Sequence, residues 1–339
     1  MLKIAASRLN ELFDAIAEKQ TLYIPVDREP NAAEYKKYES GMEMSSALNT
    51  VRSAKDFFFP QTENLAEFKV EGKSIEVKDV REENEDFVVF GVRACDARSF
   101  SILDKVFLSE PVDSFYKNRR DHGTIVTMAC TKPAETCFCT VFGIDPTVPE
   151  GDVSVFSDGE SFFFLDRTEK GTAFVRSIEN LLEEGDTSKL DKVQEQARSI
   201  MKKLPLANLS TDSFGRDKLN ECFNSEKWSE LSEACIGCGT CTFVCPTCQC
   251  YDIRDFDTGH GIKRFRCWDS CMYSDITKMA HGNPRTSQLE RFRQRFMHKL
   301  VYFPANNDGE FGCVGCGRCL AKCPISMNIV KVMKALEVK

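Results

Sequence analysis

The residues best equipped for chemistry are cysteines, and their spacing says what that chemistry is. CIGCGTCTFVCP, from Cys235 to Pro246, puts two residues between each of three thiols, then adds a fourth thiol and a proline. CVGCGRCLAKCP, from Cys313 to Pro324, repeats the pattern. Two-residue gaps let one tight loop bring three thiolates to three corners of an iron–sulfur cube, and the interleaved glycines permit the close approach. In two-cluster chains of this kind the fourth cysteine of each run serves the other run's cube. The spacing therefore assigns Cys235, Cys238, Cys241 and Cys323 to one 4Fe-4S cluster, and Cys313, Cys316, Cys319 and Cys245 to a second. Zinc is the competing reading, but structural zinc sites usually take their ligands as separated pairs.

A further four cysteines depend on how the chain folds. FVVFGV, Phe87 to Val92, is a continuous apolar strand ending near Cys95, and Asp96 can cap a helix carrying Phe100, Leu103 and Phe107. Thr124 to Met128 form a second strand that ends near Cys130. A strand, a helix and a strand over this distance predict a parallel unit whose strand ends share one edge, making Cys95 and Cys130 neighbours. Cys137 and Cys139 follow in CFC. Four thiols at the edge where open α/β sheets place ligands suit a third 4Fe-4S cluster, a zinc ion or buried free cysteines, and spacing leaves all three open.

The other cysteines carry no ligand assignment. Cys248, Cys250, Cys267 and Cys271 lie in the 67 residues between Cys245 and Cys313, and Cys222 stands alone, as a small buried hydrophobe would. His122, His260, His281 and His298 read as hydrogen-bonded surface groups. Arg264, Arg266, Arg291, Arg293 and Arg295 gather around the insert, where they could offset cluster charge, dock an acidic partner or line a solvated helix face.

Positioning these groups takes a whole chain of elements. Residues 1–20 read as one surface helix with Leu2, Leu9, Leu12, Phe13 and Ile16 on its apolar side, not as a signal peptide. TLYIPV reads as a short strand, Asp27 to Ser40 as loop with some helix, and Phe57-Phe58-Phe59-Pro60 as a buried strand end. FKVEGKSIEV and VSVFSDGESFFFL read as hairpins. Helical patterns follow from Gly171 to Ile200, and MNIVKVMKALEV is a terminal helix. The expected fold is an α+β or α/β N-terminal domain over residues 1–205. A mainly helical domain, 206–339, follows with an interrupted bacterial-type 2×4Fe-4S ferredoxin unit.

Composition narrows the function classes. A net charge of −7 argues against nucleic acid as the main partner, and no stretch of about twenty apolar residues offers a membrane span. Seventeen cysteines, an odd number concentrated in cluster runs, imply a reducing, anaerobic cytoplasm rather than a disulfide framework. No glycine-rich nucleotide fingerprint, phosphate loop or nucleophile elbow occurs, so neither NAD nor flavin binding by this chain alone is supported.

With these motifs placed, the chain resembles a family of electron-transfer subunits typified by the iron–sulfur relay chain of anaerobic sulfite reductase and the beta chain of soluble NAD(P)-linked sulfhydrogenases. The resemblance runs through FFFP, GVRACDARSFSILD, the Cys130 to Cys139 arrangement, CIGCGTCTFVCPTCQCYDI, WDSCM, AHGNPR, RFRQRFMHK and CVGCGRCLAKCP. It implies a protein that relays electrons from a partner binding flavin and NAD(P)H to a further catalytic or iron–sulfur partner, or the reverse, as in bifurcating transhydrogenases. It also implies cluster ligation by the eight run cysteines, and it favours a third cluster at Cys95, Cys130, Cys137 and Cys139. Cys267 departs from the sulfite reductase pattern. The rival readings are a structural iron–sulfur scaffold without electron transfer and an enzyme with its own site at the Cys95 and Cys130 edge.

Overall fold

The computed structural model describes residues 1–29, 32–47, 49–81 and 85–337. Its centre is a pair of apolar strands, β6 (Phe87–Arg93) and β7 (Gly123–Met128), in which nearly every residue is buried. Strands covered on both faces need apolar side chains at every position, which is why these two show no alternation. Val88 and Phe90 enter one core with Leu12, Phe13 and Ile16, while Phe87 and Val89 enter the opposite core with Phe58, Phe100 and Leu103.

The earlier strands are β1 (Leu2–Ala5), β2 (Thr21–Glu29), β3 (Ala32–Lys37), β4 (Thr62–Glu71) and β5 (Ser74–Lys78). The later ones are β8 (Val153–Ser157), β9 (Ser161–Asp166), β10 (Glu183–Glu184), β11 (Tyr251–Asp257) and β12 (Ile262–Trp268). The eight-stranded sheet has the order β10-β1-β9-β8-β7-β6-β2-β3. Its four central strands, β2, β6, β7 and β8, are parallel, and antiparallel neighbours flank them. Both predicted hairpins form, as β4–β5 and β8–β9.

Three local expectations change. Leu2 belongs to β1, and the first helix is Leu9–Ala17, which buries Leu9, Leu12, Phe13 and Ile16. The polar stretch after Asp27 continues β2 and then makes β3, an edge strand on which charged side chains face water. Phe57-Phe58-Phe59 closes a short helix, Lys55–Phe58, with Phe58 and Phe59 fully buried.

The C-terminal half is helical around the runs, but its insert is not. The insert forms the hairpin β11–β12, and β12 pairs antiparallel with β4, giving a four-stranded sheet of order β11-β12-β4-β5. That sheet takes two strands from each side of residue 205. Trp268, at the end of β12, stacks on Phe59 with ring centroids 5.9 Å apart and donates its indole N–H to the Phe59 carbonyl at 3.1 Å. A separate C-terminal core gathers Trp228, Phe292, Phe296, Leu300, Val332 and Met333 under the cluster runs.

A candidate iron–sulfur centre

The two ferredoxin runs fold alike. In each, a glycine in the left-handed region starts a short helix: Gly239 (φ +73°, ψ −8°) before Thr240–Phe243, and Gly317 (φ +77°, ψ −9°) before Arg318–Lys322. Cys235 faces Cys238, Cys241 and Cys323, which together make site I. Cys245 lies with Cys313, Cys316 and Cys319, which make site II. Cys319 also faces Cys241, so the two sites adjoin. Burial pushes the Cys316 thiol up to about 12 and the Cys313 thiol higher still. Cys238 is exposed, and the Thr240 hydroxyl 3.3 Å from its sulfur holds it below the usual thiol range.

Cys95, Cys130, Cys137 and Cys139 form a third group, site III. Cys95 sits in the first turn of helix Ala94–Phe107, and Cys130 lies just past β7. Cys139 opens the turn Cys139–Phe142. All four line one small cavity together with Gly315 and Cys316 of the second run. Burial raises these thiols, Cys130 to about 11, Cys139 further, and Cys95 well above its ordinary value.

The loop of the second run is locked onto the CFC segment. The Phe138 N–H donates to the Gly315 carbonyl at 3.0 Å. Gly315 has φ +59°, and a Cβ there would stand 2.5 Å from the Phe138 carbonyl, so a side chain is excluded on both counts. Arg318, between Cys316 and Cys319, forms a bidentate pair with Asp96, the residue after Cys95, with Nη2 2.6 Å from Oδ2. Both are buried, and Arg318 Nε also donates to the Thr50 carbonyl at 2.9 Å.

Among the described residues no three Cys, His, Asp or Glu side chains converge closely enough to share one metal ion. Zinc would require that, with sulfurs about 2.3 Å from a single centre. A cube gives each thiolate its own iron and so suits thiols set further apart. The fixed charges fit the same group. Arg295, 2% exposed, donates through Nη2 to the Cys241 carbonyl at 3.2 Å, while its Nε and Nη1 are buried without a protein partner. Orphaned guanidinium donors are costly unless something accepts from them. The guanidinium faces Cys241, Cys319, Cys248 and Cys245 and would offer these donors to a cluster held there.

The arginines grouped by sequence take different roles. Arg264 pairs with Asp255 on the exposed hairpin, and Arg266 is buried against Glu63 and Asp113. Arg291 caps the carbonyls of Arg285 and Thr286, and Arg293 lies over Phe223. Of the five, Arg295 is the one that faces the run cysteines. Lys299, one turn further, was not singled out by sequence. Its ammonium donates to Thr247 Oγ1 at 2.7 Å and to the Gly312 carbonyl at 3.0 Å, and Thr247 Oγ1 is 3.3 Å from the Cys245 sulfur. The i, i+4 spacing from Arg295 was the available signal. Lys55, also missed, is buried beneath the Trp268 ring and donates to the Cys248 carbonyl at 2.9 Å. Cys248 lies beside Cys245, and Cys250 beside Cys271.

The description "4Fe-4S dicluster domain" matches residues 234–327, which span both runs and the insert. Sulfhydrogenase 2 subunit beta of Pyrococcus furiosus is 32% identical over 338 residues, covering 98% of this chain and 97% of that protein. The chain belongs to the sulfhydrogenase beta-subunit family. No solved structure matches it significantly. The matched region covers nearly the whole length of both chains, the N-terminal half included. No described helix is long and apolar enough to cross a membrane.

Proposed function

We propose that the chain is a three-cube electron relay, with site III, site II and site I in series, inside a cytoplasmic multi-subunit oxidoreductase. The observation that carries this reading is the lock between the second run and the CFC segment, which makes Gly315 and Cys316 a shared wall of sites II and III. A cube supplies a one-electron couple when bound. Cys319 faces Cys241 between sites II and I, which supports transfer between neighbouring couples. Cys238 is the exposed end, bordered by the exposed apolar side chains of Ile236 and Tyr273, and offers a face for electron entry or exit.

One partner is an oxidoreductase subunit that binds flavin and NAD(P)H, and the other is a further catalytic or iron–sulfur subunit, the arrangement that the family resemblance implies. Nothing in the sites aims an acid or base at a substrate, which favours transfer over bond chemistry in this chain. Replacement of Cys139 by Ser tests the third site. Iron per chain falls from about twelve to about eight atoms if site III holds a cube; unchanged iron rules that cube out.

A further inference from the structure

Buried positive charge is shared unequally between the two ferredoxin-type sites. Around site I the hydrogen-bonding groups other than Arg295, which donates to the Cys241 carbonyl, are neutral. Gln288 donates to the Cys235 carbonyl, Tyr273 to the Cys238 carbonyl at 3.3 Å, and Thr240 lies against the Cys238 sulfur. Cys323 itself donates to the Met327 carbonyl at 3.4 Å.

Site II is different. Lys299 reaches Cys245 through Thr247 and also holds the carbonyl of Gly312, the residue before Cys313. Arg295 lies between the sites and faces ligands of both. Neither cation has an ion pair among the described residues, and both are buried. Arg318 also touches site II, but Asp96 cancels its charge. The widened π-helical turn His298–Tyr302, which follows helix Gln288–Met297, aims Lys299 inward.

We propose that Lys299, with Arg295, makes site II the electron well of the chain, so that its cube is reduced more readily than the cube at site I. This rests on the reading that both sites hold cubes. Reduction adds one negative charge, and a cation held out of water stabilises that charge with little screening. Water at the exposed Cys238 works in the opposite sense for site I, but it reaches only that edge and is a mobile, high-dielectric medium. Arg295 favours reduction at both sites, and Lys299 at site II alone. Electrons entering at either end therefore collect at the middle site before they leave.

The test is an anaerobic potentiometric titration, followed by electron paramagnetic resonance, of the loaded full-length chain with any subunits that co-purify. The two run couples are those that survive in Cys139→Ser. Lys299→Gln lowers only the higher of these two, by at least tenfold in its reduction equilibrium, which is about 59 mV for one electron. Arg295→Gln lowers both. Lys299→Arg, which keeps the charge, leaves the higher couple near its original value and covers the case in which Lys299→Gln loses iron. Couples unmoved by Lys299→Gln, a shift confined to the lower couple, or an equal shift in Lys299→Arg overturns the proposal. Clusters that cannot be reduced at all would instead contradict the relay.

Discussion

At the scale of single residues, Asp96 and Arg318 join the sheet to the second run more directly than any other pair. Asp96 follows Cys95 of site III and Arg318 lies between Cys316 and Cys319 of site II, so their ion pair fixes the two cysteine groups against each other. Both side chains are at least 95% buried. Removing one partner of a buried pair strands the other charge and costs about 3–5 kcal/mol, whereas removing both is much milder. Asp96→Asn is thus expected to lower stability by about that amount, and Asp96→Asn with Arg318→Met to recover most of it. Denaturant unfolding of the loaded protein under anaerobic conditions checks this, and a loss under about 1 kcal/mol for the single variant would speak against the pair's importance. The pair was hidden in the sequence because 222 residues separate its members. The run cysteines were legible because their geometry is local and repeats within each run.

Among the elements, the β11–β12 hairpin does most to make one body of the two halves. Its anchor is Trp268, which stacks on Phe59, donates to the Phe59 carbonyl and covers the Lys55 ammonium at 3.6 Å. Trp268→Ala is expected to cost about 3–5 kcal/mol through the lost contacts and the cavity left behind. Phe256→Ala, at a position 61% exposed near the hairpin tip, is expected to change stability by about 0.5 kcal/mol or less. Unfolding curves of the two variants measure the contrast, and similar losses would mean that the hairpin is held along its whole length.

The parallel pair β6 and β7 was readable because continuous apolar runs bounded by helix signals have few alternatives. The pairing of β12 with β4 was not, since nearly 200 residues lie between them and neither hairpin's sequence advertises the partner that its open side will meet. For the same reason the five arginines of the insert looked alike, although packing sends Arg266 into an ion pair, Arg264 to the surface and Arg295 to the run cysteines. The edge strand β3 is a related case: its charged residues resemble a loop, and only its place at the sheet edge makes them compatible with a strand.

On the scale of the whole molecule, a parallel sheet presents two cysteines at its carboxyl edge, and the second ferredoxin run closes over them. The helical core beneath the runs carries the cations that face the run cysteines, and Lys55 of the N-terminal half packs against Trp268 of the hairpin and reaches the Cys248 carbonyl. The central claim is that three cubes in series carry electrons through this body. The most direct test is a reductive titration of the anaerobically purified complex, counting electrons taken up reversibly per chain against iron per chain. Three cubes in series take up about three electrons on about twelve iron atoms, return them in full to an oxidant and pass them to a co-purifying flavoprotein. Clusters that take up no electrons within the physiological range would contradict it and leave a structural scaffold in its place.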